Sequence, residues 1–188
     1  IVLAGTATSG KAVGAALPGD RGPLIARDEE LEHLHSMLQK SRLVTVVCPG
    51  GVGKTRLARE VAEQVRQQGG EVRWVAVDGA RSGSAVLGQV ALSLGLPEAG
   101  PSLQQSLARH MDERAMLLVL DGMEHAVEGL AALSELLQSC PSLRLLVTSR
   151  APLRAYGERL LTLKPLAVEG GDAEPPAVQL FLRRLEEK

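Results

Sequence analysis

The sequence predicts an α/β protein built on a parallel sheet covered by helices on both faces. Three observations carry this. Short, β-branched apolar runs alternate with segments whose apolar residues recur every three or four positions. The runs are almost continuously apolar, as expected of strands buried on both faces rather than on one. A glycine-rich turn ending in Lys-Thr stands between the first run and the helix after it.

Each element follows from its own pattern. Residues 1 to about 22 are rich in Gly, Ala and Ser without a period, and read as a linker or irregular arm. A helix is predicted from Asp28 to Lys40, capped by Asp28 and lined by Leu31, Leu34 and Leu38. Leu43 to Val47 is the first strand. Lys54 to about Gln68 is a helix with Leu57, Val61 and Val65 on one stripe, stopped by Gly69-Gly70. Val72 to Val77 is the second strand. Ser84 to Leu94 is a helix, and Ser102 with Gln105 forms a capping-box pattern for another. Met116 to Leu120 is the most hydrophobic strand and ends at Asp121. A helix through Leu130, Leu133 and Leu137 stops near Cys140-Pro141. Leu143 to Thr148 and Leu160 to Leu163 complete the strands, and Pro175-Pro176 opens a last helix. The main domain is therefore expected over 23–174, with a further segment beginning at 175–188. The chain opens on Ile1 rather than Met and stops inside an apparent helix, which predicts a piece of a longer protein.

Composition narrows the function. Lys plus Arg number 21 against 22 Asp plus Glu, a net charge of −1. This excludes a strongly basic nucleic-acid surface for the chain as a whole. Trp74, Tyr156 and Phe181 are the sole aromatics, too few for a platform that stacks single-stranded bases. Cys48 and Cys140 make neither a disulfide framework nor a zinc set, so a reducing, cytoplasmic setting is expected. No apolar run approaches the ~18 residues of a membrane span. The four histidines lack metal spacing, and Arg183-Arg184 reads as a polar helix face.

In parallel sheets ligands meet the carboxyl ends of the strands. At the first such end stands Cys48-Pro49-Gly50-Gly51-Val52-Gly53-Lys54-Thr55. It follows G-x-x-x-x-G-K-[ST], with Cys48 in place of the first Gly. Glycines let backbone N–H groups face phosphate oxygens, and the helix start adds partial positive charge. Lys54 would neutralise the β- and γ-phosphates, and Thr55 would hold Mg²⁺. The binding stretch is expected to run on into Arg56. Asp121 closes the most apolar strand. It would hold Mg²⁺, or alternatively cap the next helix. Cys48, beside these N–H groups, is either a thiol with a lowered pKa that competes with phosphate or a small buried residue tolerated in a turn.

With these residues in view the chain resembles the STAND class of signal-transduction ATPases, the NB-ARC and AfsR-like bacterial regulators. The resemblance lies in Arg27-Asp28-Glu29-Glu30-Leu31, in "PGGVGKTRLA", in "LLVLDGMEHAVEGL", in "LLVTSRAPLRAYGERLLTLKPL" and in "AVQLFLRRL". It implies a P-loop NTPase three-layer sandwich with sheet order 5-1-4-3-2, a site for ATP or ADP with Mg²⁺, and a helical lid starting at 175–188. Leu24, Ile25, Ala26 and Arg27 would pack on adenine, with Ala26 where the class has Gly. Arg150 would sense the γ-phosphate; otherwise it is a surface residue opening a loop. Related ATPases place a second acid after the metal Asp, where this chain has Gly122. Glu124 or Asp78 could orient water instead, though for each taken alone a helix cap is the commoner role, with a solvated loop acid the other alternative. The implied partners are nucleotide, other domains of the same chain, DNA only through a domain absent here, and a nucleotide-dependent oligomer. The expected function is the nucleotide-binding core of a slow switch ATPase in a transcriptional regulator. The alternatives are an ordinary P-loop enzyme, such as a kinase or motor ATPase, and a degenerate, non-hydrolysing binding module.

Overall fold

The computed structural model describes residues 17, 22, 24–77, 79–96, 103–112, 114–125, 129–169 and 174–186. Its strands are β1 (Leu43–Val47), β2 (Glu71–Ala76), β3 (Met116–Asp121), β4 (Leu143–Ser149) and β5 (Glu158–Thr162). They form one five-stranded sheet, parallel throughout, in the order β2-β3-β4-β1-β5. Read from the other edge this is 5-1-4-3-2, the expected order. The chain leaves β1, skips two places to β2, and returns through β3 and β4. The order therefore reverses beside β1, where a crevice opens at the carboxyl ends.

The helices are α1 (Asp28–Lys40), α2 (Lys54–Gln67), α3 (Gly83–Ser93), α4 (Leu103–Met111), α5 (Leu130–Ser139) and α6 (Pro176–Glu186). Successive strand residues point to opposite faces, so each strand feeds two cores. Val44, Val46, Leu117, Val119 and Leu146 pack with α1 and α2. Leu43, Leu118, Leu120, Leu145 and Val147 pack with α3, α4 and α5. The result is a three-layer arrangement, and the near-continuous apolarity of the strands is its direct cause. Trp74 is a core residue of the α1/α2 face.

Helix α2, which carries the glycine-rich turn, is anchored most firmly. Leu57, Ala58, Val61, Ala62 and Val65 are all buried against the sheet, each larger side chain contributing about 1.5–3 kcal/mol by leaving water. The helix ends as expected at its glycines: Gly69 takes φ 81°, and Gly70 N–H donates to Val65 O at 2.9 Å.

Several boundaries differ from the sequence reading. Asp28 lies inside the first turn of α1, not at its cap, and adds dipole charge with Glu29 and Glu30. Arg27 occupies the cap position because its side chain is fixed to Glu30 and to Lys164 O. β2 starts and stops one residue early, because its partner β3 sets the ladder: Glu71 pairs with Met116 and Ala76 with Asp121. β5 begins at polar Glu158, which pairs with Leu43 on the outer edge of the sheet, where apolarity is not required. Ser102, proposed to cap α4, lies outside the described residues.

Candidate functional site

The glycine-rich turn is an open cradle at the carboxyl end of β1. Gly51 and Gly53 take φ 81° and 107°, where a side chain would be strained. A Cβ on Gly50, Gly51 or Gly53 would meet nothing within 4 Å, so the space over the turn is free. Gly53 is the residue before α2, and its carbonyl already accepts from Leu57 N–H at 3.0 Å. The first N–H groups of α2 have no partner within the helix and face the cradle.

Lys54 is only 8% exposed, yet its Nζ donates to the carbonyls of Cys48 at 2.7 Å and Pro49 at 3.0 Å. The ammonium is thus held across the turn it belongs to. Thr55 Oγ1 donates to Asp121 Oδ1 at 2.9 Å, joining the start of α2 to the end of β3. Thr148, on β4, completes the set. Its Oγ1 donates to Asp121 Oδ1 at 2.5 Å and accepts from Gly122 N–H at 3.0 Å. Gly122 takes φ 87°, which turns its N–H toward Thr148. An acid at that position would sit in a backbone conformation that L side chains rarely adopt.

Among the described residues no group of three His, Cys, Asp or Glu could hold a metal by itself. Thr55 and Asp121 offer two oxygens, with the open cradle beside them. That suits Mg²⁺, which keeps waters and takes phosphate oxygens as its other ligands.

Beside the cradle lies a cleft of about 370 Å³. Leu24, Ile25 and Arg27, from the stretch expected to pack on adenine, line it. Ala26 does not: it is exposed, at φ 49°. This left-handed backbone explains why Gly suits the position, since Ala there costs about 1–2 kcal/mol. Leu166, with Leu180 and Arg184 of α6, also lines the cleft. Lys54 and four arginines (Arg27, Arg56, Arg59 and Arg184) line the cleft, Arg27 with Glu30 as its ion-pair partner, and no carboxylate lines the cleft itself among the described residues. Such a field attracts a polyanion.

The remaining candidates are placed as follows. Gly51, Val52, Gly53, Thr55 and Arg56 line the cleft, while Pro49 and Gly50 are exposed on the turn. Cys48 contributes backbone only. Its carbonyl receives Lys54, and its side chain is 2% exposed within the α1/α2 core. Of the two readings of Cys48, the geometry favours the small buried residue: side chains alternate along an extended chain, and Cys48 follows Val44 and Val46 onto the same core face. Arg150 follows β4 and forms an ion pair with Glu124, Nε to Oε1 at 3.0 Å. Glu124 sits in a 3₁₀ turn, Met123–His125, just after Gly122. Asp78 lies outside the described residues.

Sequence reasoning missed Thr148 and Arg184. Thr148 looks like an ordinary strand residue, and Arg184 like solvated charge. Only the packing of β4 beside β3, and of α6 across the cleft, shows their positions.

Comparison with known proteins bears on the family and the fold. The family model described as "AAA domain" matches residues 32–154. A Mycobacterium tuberculosis protein, an inferred HTH-type transcriptional regulator by name, is 37% identical over 153 residues, which is 80% of this chain and 17% of that protein. The chain thus spans less than a fifth of that relative. Among solved structures, Cdc6p from Pyrobaculum aerophilum superposes with a TM-score of 0.65 at 19% identity, over 95% of this chain and 52% of that one. A STAND protein with a tetratricopeptide-repeat sensor from Pyrococcus horikoshii gives 0.53 at 18% identity, over 86% and 28%.

Proposed function

The chain belongs to the AAA domain family, and from that premise we propose that it is the ATP/ADP-binding core of a STAND-type regulatory switch within a larger bacterial transcriptional regulator. The observation that carries the reading is the Thr55–Asp121 contact at 2.9 Å, set beside an open glycine cradle and a buried Lys54. These are the parts a Mg²⁺-nucleotide needs, already assembled. Bound Mg²⁺ would neutralise charge on the β- and γ-phosphates.

The chain's own residues divide the work. The N–H groups of the turn and of the α2 start bind phosphate oxygens. Lys54 exchanges its two backbone carbonyls for phosphate. Asp121, held by Thr148, keeps its oxygen aimed at Thr55. Leu24, Ile25, Leu166 and Leu180 give the base an apolar slot, since the chain offers no aromatic there. Gly122 in place of a second acid favours slow hydrolysis, below the enzyme median of ~10 s⁻¹. That suits a switch better than a motor. On this reading the domain works in the cytoplasm, contacts DNA only through another domain of its protein, and passes its nucleotide state to those domains or to an oligomer.

Calorimetric titration of ATP and ADP, with and without Mg²⁺, tests the reading. Lys54→Ala should weaken both nucleotides at least tenfold, about 1.4 kcal/mol or more. Unaltered affinity in that variant would reject it.

A further inference from the structure

We propose that the Glu124–Arg150 ion pair is a latch that holds the γ-phosphate-sensing and water-orienting groups out of action until a nucleoside triphosphate breaks it. The inference rests on the nucleotide-switch reading and adds its trigger. Glu124 and Arg150 stand on adjacent loops, after β3 and β4, at the carboxyl edge of the sheet. Among the described residues they meet through one ion pair, Arg150 Nε to Glu124 Oε1 at 3.0 Å.

The two arms differ in freedom. Arg150 has 62% of its side chain exposed and swings from the end of β4. Glu124 has 16% exposed. Its backbone is pinned on one side by Met123, fully buried in the core, and by Gly122 N–H on Thr148. So the guanidinium can leave and the carboxylate cannot follow it. Glu124 Oε2 is buried and has no hydrogen-bond partner among the described residues. A buried acceptor without a donor is unfavourable, and at a ligand site it marks a place for water.

A terminal phosphate is the stronger claimant for Arg150. It carries more charge than a carboxylate and can take the planar guanidinium fork with two oxygens. A diphosphate ends at its β-phosphate, lacks the γ-group that would reach Arg150, and leaves the pair intact. When Arg150 moves to phosphate, Glu124 loses its cation and both its oxygens can accept from water. Only ion-pair partners exchange, so recognition of the triphosphate and arming of Glu124 become one event.

The latch opposes ATP and is indifferent to ADP, which fixes the test. Affinities for adenylyl imidodiphosphate and ADP, both with Mg²⁺, are measured for the wild type, Glu124→Gln, Arg150→Ala and the double variant. Glu124→Gln, isosteric and uncharged, should tighten the triphosphate analogue about three- to fivefold, the scale of a partly exposed ion pair, and leave ADP unchanged. Arg150→Ala should bring the analogue down to the affinity of ADP. The double variant should match Arg150→Ala. Glu124→Asp, a second and milder variant, should shift the analogue in the same direction as Glu124→Gln. Equal tightening of ADP, no change in either ligand, or the same effect of Glu124→Gln without Arg150 would overturn the latch. Loss of the parent reading looks different: the wild type binds neither nucleotide, or Lys54→Ala retains both, and the latch falls with it.

Discussion

Two threonines on neighbouring strands should respond oppositely to the same substitution. Thr148 is 1% exposed and Thr45 is 0% exposed. Both lie in parallel strands, so Thr→Val keeps volume, branching and strand preference nearly constant. Their hydroxyls differ. Thr148 Oγ1 donates to the Asp121 carboxylate and accepts from Gly122 N–H. Thr45 Oγ1 has no partner among the described residues. Thr148→Val removes a hydrogen bond to a charged group, about 1.5–3 kcal/mol, and strands an N–H at a further cost of about 1–3 kcal/mol. Partial relaxation leaves a loss of about 3 kcal/mol. At roughly 2–4 °C per kcal/mol for a chain of this length, Tm should fall by roughly 6–12 °C. Thr45→Val removes an unsatisfied buried hydroxyl, so Tm should hold steady or rise. Thermal denaturation followed by circular dichroism reads both. A Mg²⁺-ADP titration adds a second reading, because only Thr148→Val frees Asp121 from its anchor and should weaken binding. Equal Tm shifts of the same sign in the two variants would refute the reasoning.

Arg184→Ala should weaken ATP and ADP alike, by about threefold, because Arg184 lines the cleft from α6 whereas Arg150 does not line it; an effect confined to ATP in the same titration would contradict this placement. Cys48→Gly should lower stability by about 1–2 kcal/mol through loss of buried sulfur and added chain entropy, without tightening nucleotide. Melting curves and titration of that variant check both halves, and a tighter complex would restore the idea of a thiol facing the phosphate.

The cradle was legible because its chemistry is local. Gly51, Gly53, Lys54 and Thr55 act through backbone conformation and a helix start, both encoded within eight residues. Asp121 was legible for a related reason, as a charge closing an apolar run. The ends of β2 and β5 were not, since pairing with β3 and β1 decides where a ladder stops. The sequence left Cys48 between two readings because spacing locates a residue along the chain and leaves open the face toward which its side chain points.

Alternation of apolar runs and periodic segments, with one glycine-rich turn between them, determined the sheet class, the layering and the place of the open cradle from the sequence alone. These follow from periods and propensities that act over a few residues. Tertiary structure alone decided that Thr148 clamps Asp121, that Arg150 is paired with Glu124, and that Arg184 faces the cleft. Each contact joins residues 26 or more positions apart, as with the 27 positions between Thr148 and Asp121. Hydrogen bonds and ion pairs act only within a few ångströms, so such partners exist once the fold has brought their strands and helices side by side.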